Sequence, residues 1–156
     1  MSLPTGMIVA ATVASALIGG VFFAFSVFMM RALAILPPAQ GVLAMQRINI
    51  TVINPLFLGV FLCTAPLLAV TAYFGRHSPQ SFAWLLAAFF IYLVGSVGVT
   101  MVFNVPRNNR LASLEATSSA ASAYWPVYVR EWLAWNHVRC LASLVAAVSA
   151  MLAIAS

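Results

Sequence analysis

The amino-acid sequence predicts an all-α integral membrane protein, built as a four-transmembrane-helix bundle. Of its 156 residues 64% are hydrophobic and only 6% are charged, whereas soluble domains carry about a quarter charged residues. Four apolar stretches approach the roughly 20 residues that a helix needs to cross a bilayer. Because the segments between them are short, we expect one membrane domain over residues 1–156.

The four predicted spans are bounded by residues that begin or end helices. Arg31 follows the first apolar run, and Asn54 with Pro55 has the form of an N-cap followed by proline at the first helical position. Pro106 is expected to end the third span. Pro126 is expected to begin the last helix, whose first turns would lie at the membrane interface. The spans predicted in this way cover about residues 7–30, 55–74, 82–103 and 134–155.

The three connections differ in character. Loop one contains Pro37-Pro38 and then mixes apolar and polar residues over 42–53, which predicts a short amphipathic helix at the membrane interface. Loop two, residues 75–81, is a polar turn that joins the second and third spans into an antiparallel hairpin. Loop three is rich in amides and guanidiniums over residues 104–110. Because a turn alone does not require so many polar groups, we expect an ordered structure there.

The distribution of charged residues indicates the orientation of the protein in the membrane and does not indicate nucleic-acid binding. All basic residues are arginines, and the only acidic residues are Glu115 and Glu131, which gives a net charge of +5. No water-exposed module with a clustered basic face is present, so nucleic acid is not an expected partner. The arginines near the spans fall mostly in loops one and three, against Arg76 in loop two. The positive-inside rule therefore predicts cytoplasmic loops one and three.

Polar side chains are predicted to converge at one end of the bundle, because short connections place loops one and three together. On the last helix Trp132, Asn136 and Arg139 are spaced i, i+4 and i+7 and line one stripe. An arginine in an apolar span is costly unless it finds a partner, and we expect Glu131 or the amides and carbonyls of loop three. Two interpretations stay open: a structural clamp that fixes loop three to the last helix, and direct binding of a ligand.

Metal centres and familiar catalytic constellations are disfavoured. Protein-bound metals need convergent His, Cys or carboxylate ligands, yet the chain has no aspartate and its two histidines are predicted at opposite ends of the bundle. A Ser-His-Asp triad is excluded for the same lack of aspartate. Cys63 and Cys140 lie in apolar stretches and are interpreted as small buried hydrophobes. No cofactor is predicted, although a haem with His137 as its sole axial ligand is an open alternative.

A pocket for a flat aromatic molecule remains. Indoles can stack on it, amides and guanidiniums can stabilise an enolate or phenolate oxygen, and His137 can accept a proton. The plainer alternatives are an aromatic belt for the indoles and a hydrogen bond to the loop for His137. The predicted catalytic residues are His137, Arg139 and Asn136, and the predicted substrate-binding residues are Asn104, Asn108, Asn109, Arg107, Trp132, Trp135, Gln46, Asn49 and Asn54.

Four blocks of sequence are distinctive: Pro37-Pro38-Ala39-Gln40-Gly41 with Met45-Gln46-Arg47-Ile48-Asn49, Asn54-Pro55-Leu56-Phe57, Asn104-Val105-Pro106-Arg107-Asn108-Asn109-Arg110-Leu111, and Trp132-Leu133-Ala134-Trp135-Asn136-His137-Val138-Arg139. Together they resemble the anthrone oxygenase-like family of small four-span membrane proteins. They cover nearly the whole chain in order, and the last two are the most specific. For a chain that resembles the family's bacterial members, we expect the bacterial inner membrane.

The resemblance implies oxidation of a hydrophobic aromatic substrate, anthrone- or quinol-like, with O2 and without an obvious organic cofactor. An acidic C–H would be deprotonated to a resonance-stabilised carbanion, which then reacts with O2. Applied to this chain, His137 would be the base, and the oxyanion would be held by Asn104, Asn108, Asn136 and Arg139. Membrane lipid is the further expected partner. A non-enzymatic protein that binds a quinone or lipid, and a haem-binding membrane protein, stay open as alternatives.

Overall fold

The computed structural model describes residues 3–155, and within them the secondary structure is helical throughout, without strands. Four of its helices are long and apolar enough to cross a membrane, which confirms the prediction of an all-α, four-span protein. A fifth, shorter helix lies in loop one, as predicted. The five helices are α1 (Pro4–Ala34), α2 (Pro38–Thr51), α3 (Pro55–Gly75), α4 (Pro79–Ala112) and α5 (Ser119–Leu152).

The four long helices form a ring in which α1 packs against α3 and α5, and α4 packs against the same two helices. Small residues let the helices approach closely, as at Gly95, where an added Cβ would lie 2.5 Å from the Cβ of Ala142. Large apolar side chains such as Leu17, Phe28 and Leu141 cover the outside. This is the distribution expected of a bundle surrounded by lipid, because lipid is as apolar as the bundle interior.

Side-chain N-caps mark the first residues of helices α3 and α5. The Asn54 side chain accepts a hydrogen bond of 2.9 Å from the Phe57 amide, which confirms it as the N-cap of α3. The prediction that Pro126 begins the last helix is wrong. The helix α5 begins at Ser119, because the Ser118 hydroxyl caps it by accepting from the Ala121 amide, and Pro126 lies within it.

The third span also runs further than predicted. Pro106 does not end α4, which continues to Ala112. Proline lacks an amide donor and crowds the preceding turn of an α-helix. Two π-helical segments, Leu93–Gly98 and Thr100–Asn104, precede it, and their wider turns leave room for the ring. The polar run assigned to loop three is therefore largely the last two turns of α4.

Helix α2 closes one end of the bundle. Its Gln46 amide donates to the carbonyl oxygens of Leu111 and Leu114, both at 2.9 Å. Its apolar face, including Val42 and Met45, belongs to a buried cluster with Trp125 of α5. Loops one and three are therefore adjacent, as predicted. The polar residues of the candidate site, described next, lie deeper in the bundle than these loops.

Candidate functional site

Arg139 lies at the centre of the candidate site. Its side chain is only 4% exposed, and its guanidinium donates to Asn136 Oδ1 at 2.7 Å and to Thr100 Oγ1 at 3.2 Å. The guanidinium carbon lies 4.2 Å from the ring centre of Phe22 and 5.0 Å from that of Trp132. The cation thus lies over two aromatic rings, and its attraction to the negative faces of the ring quadrupoles is favourable.

No carboxylate faces this cation within residues 3–155. Glu131, predicted as a partner of Arg139, instead accepts from Arg107 Nε at 3.0 Å in the one ion pair found in that range. Glu115 is exposed. The Arg139 guanidinium faces the bundle interior, where it contacts Phe22 of α1 and Thr100 of α4, whereas the Glu131 carboxylate pairs with Arg107 of α4. Arg139 is therefore a buried positive charge that the described chain does not neutralise.

Asn136 connects Arg139 to the first helix. Its amide nitrogen donates to the Phe22 carbonyl and to Ser26 Oγ, both at 2.8 Å, while its oxygen accepts from Arg139. The residue is fully buried. One amide therefore links α1 to α5 and orients the guanidinium, which in turn contacts Thr100 of α4.

Two more polar groups complete this interior set. Asn104 donates through Nδ2 to the Trp132 carbonyl at 3.2 Å, and both side chains are buried. Asn104 Oδ1, Trp132 Nε1 and Arg139 Nε are buried without a hydrogen-bond partner in the described part of the chain. We refer to the whole set as the Arg139 cluster; it consists of Phe22, Ser26, Thr100, Asn104, Trp132, Asn136 and Arg139.

The π-helical turns supply several members of the cluster. Ser26 lies in the π-helical segment Phe25–Met29 of α1, and Thr100 and Asn104 lie in the second π-helical segment of α4. π-Helical turns are rare in proteins, but those that occur are often found at functional sites. They also aim these side chains at α5 from two neighbouring helices.

A second polar group lies nearer the loops. The Tyr128 hydroxyl donates to Asn108 Oδ1 at 2.9 Å and accepts a long hydrogen bond of 3.5 Å from Asn49. Tyr128 also stacks between Trp125 and Trp132, with ring centres 5.7 and 6.5 Å away. A column of aromatic rings on α5 therefore runs from the loop end down to the Arg139 cluster.

Other predicted site residues lie outside both groups. His137 is exposed on the outer face of α5, because consecutive residues of a helix point about 100° apart and Asn136 faces inward. It therefore does not share the interior with Asn136 and Arg139, contrary to the predicted pocket. Trp135 is half-buried and stacks on Phe103 with ring centres 3.5 Å apart. Asn109 is exposed, and Asn54 caps α3.

Sequence reasoning missed Phe22, Ser26, Thr100 and Tyr128. Ser26 of α1 and Thr100 of α4 were the available signal, because each is a polar residue in an otherwise apolar span. Both helices run antiparallel to α5, and both residues lie at about the same depth in the membrane as Arg139. Polar groups there need partners, because lipid offers no hydrogen bonds. Pairing them with Arg139 and Asn136 requires knowledge of which helix faces meet.

Two surface grooves lie apart from the Arg139 cluster. One is lined by Trp84 and its neighbours at the beginning of α4, and the other runs along the outer face of α1 from Val13 to Ala24. Neither includes a residue of the cluster. Because Arg139 is buried, a substrate that contacts it has to displace side chains of the packed interior or enter between helices.

Together these features define a four-span membrane protein with an uncompensated cation in an aromatic-lined interior. The family model for anthrone oxygenase matches residues 44–149. This range contains every predicted site residue. The chain belongs to the anthrone oxygenase family, which indicates an oxygenase-like function. No curated protein and no solved structure matches the chain.

Proposed function

We propose that the protein is a membrane-embedded monooxygenase that oxidises a hydrophobic aromatic substrate, anthrone- or quinol-like, with O2 and without an organic cofactor. The observation that carries the proposal is the buried Arg139 guanidinium, which no carboxylate of residues 3–155 neutralises. Preorganised donors in a water-poor site stabilise negative charge far better than water does. A deprotonated aromatic ketone carries its charge on oxygen, so it fits a site of this kind.

The reaction balances as follows for a CH2 group activated by an aromatic ketone. Loss of a proton leaves a carbanion whose charge is delocalised onto the ketone oxygen, where Arg139 and the second N–H of the Asn104 amide donate. The carbanion reduces O2 by one electron, and recombination forms a C–O bond and a peroxide anion. The proton released first returns to the peroxide, and elimination of water leaves a new carbonyl. The net change is CH2 plus O2 to C=O plus H2O.

His137 remains the proposed base, but its position on the outer face of α5 requires the substrate to reach α5 from the lipid. The variant His137→Ala tests this directly. Wild-type turnover in that variant would remove His137 from the mechanism while leaving the role of Arg139 open to its own test.

The main experiment measures O2 consumption with anthrone as the probe, using the full chain in lipid nanodiscs. Removing one oxyanion donor costs about 10²–10³ in kcat, so Arg139→Gln is expected to lose at least about a hundredfold. The matched control is Arg130→Gln, which removes an exposed arginine from the same helix and should retain activity. Wild-type protein that is no faster than empty nanodiscs, or a folded Arg139→Gln with full activity, would refute the proposal.

A structural clamp is the second candidate function of the same residues. It is favoured by the hydrogen bonds of Asn136 and Arg139, which join α1, α4 and α5. A clamp without catalysis predicts that Arg139→Gln lowers the melting temperature and that no variant changes O2 consumption, because there is none above the background. The two readouts therefore separate the candidates.

The proposal also includes the bacterial inner membrane, with loops one and three on the cytoplasmic side. The arginine distribution supports this orientation. The variants Arg76→Cys and Ser113→Cys, each made in a background in which Cys63 and Cys140 are replaced by alanine, test it in intact cells with a membrane-impermeant thiol reagent. Only Arg76→Cys should react, and labelling of Ser113→Cys alone would reverse the topology.

A further inference from the structure

The Arg139 cluster contains unused hydrogen-bond donors as well as an unbalanced charge. Arg139 Nε and Trp132 Nε1 have no partner in the described residues, and both side chains are more than nine-tenths buried. A buried donor without a partner is strongly unfavourable, and a buried charge without a counter-charge is more so. Both deficits would be met by one negatively charged acceptor.

The two donors belong to side chains in contact, since the guanidinium carbon lies 5.0 Å from the Trp132 ring centre. Asn104 adds an acceptor to the same neighbourhood. Its Nδ2 donates to the Trp132 carbonyl, and its Oδ1 is the third atom of the cluster that is buried without a partner among residues 3–155. Within the described residues, the Arg139 cluster thus contains two N–H donors and one oxygen acceptor that are buried without a hydrogen-bond partner.

We propose that the resting protein binds one small monovalent anion at Arg139, with Arg139 Nε and Trp132 Nε1 as its donors. A single charge matches the single buried guanidinium. Because Phe22 and Trp132 already pack on that guanidinium, a small anion requires the least displacement of these side chains. Because Asn104 Oδ1 accepts, the site favours an anion that carries an O–H group, such as hydrogencarbonate, over a bare halide.

The test compares thermal unfolding of the full chain in detergent with rising sodium hydrogencarbonate, sodium chloride or sodium gluconate, at constant ionic strength and pH. A ligand that binds only the folded state raises the melting temperature with a saturable dependence on concentration. Gluconate is too large for the packed site and serves as the reference. Hydrogencarbonate should give the larger saturable rise and chloride a smaller one. Melting curves that are identical in all three salts would overturn the proposal.

Two Trp→Phe substitutions test where the anion binds. Trp132→Phe keeps an aromatic ring and removes Nε1–H, so the apparent Kd should rise about tenfold. Trp125→Phe is the matched control, since Trp125 Nε1 is also buried without a partner in the described chain but its ring stacks on Tyr128, away from Arg139. Equal anion dependence in both variants would refute the assignment to Trp132. Arg139→Gln, if it folds, should abolish the dependence.

A further experiment, which rests on the proposed function, tests whether the anion and the substrate oxygen bind the same donors. If the substrate oxyanion uses the same donors, hydrogencarbonate should raise KM for anthrone and leave kcat unchanged. A thermal shift that depends on Arg139 but is not accompanied by competition would keep the anion site and refute its overlap with the substrate oxygen. A protein without any oxygenase activity would leave the thermal test unaffected.

Discussion

Replacing Asn136 by leucine tests whether the Arg139 cluster holds the bundle together. The change keeps the approximate volume of the side chain and removes all three of its hydrogen bonds, to the Phe22 carbonyl, to Ser26 Oγ and from Arg139. The first two link α1 to α5. The third leaves a guanidinium N–H in the interior without its shortest hydrogen bond.

The expected loss of stability follows from these contacts. Hydrogen bonds between membrane helices average about 0.6 kcal/mol, so the two bonds from Asn136 to α1 contribute about 1 kcal/mol. A buried donor of a charged group that loses its acceptor costs about 1–3 kcal/mol. The free energy of unfolding should therefore fall by about 2–4 kcal/mol.

The assay is reversible unfolding in mixed micelles, followed by helix content. Asn109→Leu is the matched control, because Asn109 is exposed on α4, and it should change the free energy by less than about 0.5 kcal/mol. A loss of less than about 1 kcal/mol for Asn136→Leu, similar to the control, would show that Arg139 is not held by Asn136.

Three further predictions address packing and the loop end of the bundle. Gly95→Ala places a Cβ 2.5 Å from Ala142 and should cost about 1–3 kcal/mol in unfolding free energy, whereas Gly20→Ala meets nothing within 4 Å and should be neutral or stabilising. Gln46→Leu removes both hydrogen bonds to the carbonyls beside loop three, so hydrogen exchange at residues 113–118 should accelerate while α3 is unchanged. In a double-mutant cycle Arg107 and Glu131 should couple by less than about 1 kcal/mol, since their side chains are 23% and 40% exposed; a larger value would contradict their exposure.

The prediction from sequence succeeded where a property depends on local composition. A span is recognised by the transfer of about 20 consecutive side chains into lipid, and the number of spans then follows from the chain alone. Short connections forced loops one and three to the same end, and the contact of Gln46 with Leu111 and Leu114 bears this out. The cap at Asn54 was also readable, because capping depends on a few neighbouring residues.

Tertiary structure decided which of the polar residues meet. His137 and Asn136 are adjacent in sequence, yet one is exposed and the other is fully buried, because the rotation of α5 is set by its packing against α1 and α4. The partners of Arg139 were likewise beyond local reasoning. Thr100 is brought to it by a π-helical turn of α4, and Asn136 is held by atoms of α1. The apolar composition of the last span already requires partners for Arg139, whereas the packing of the helices decides which groups they are.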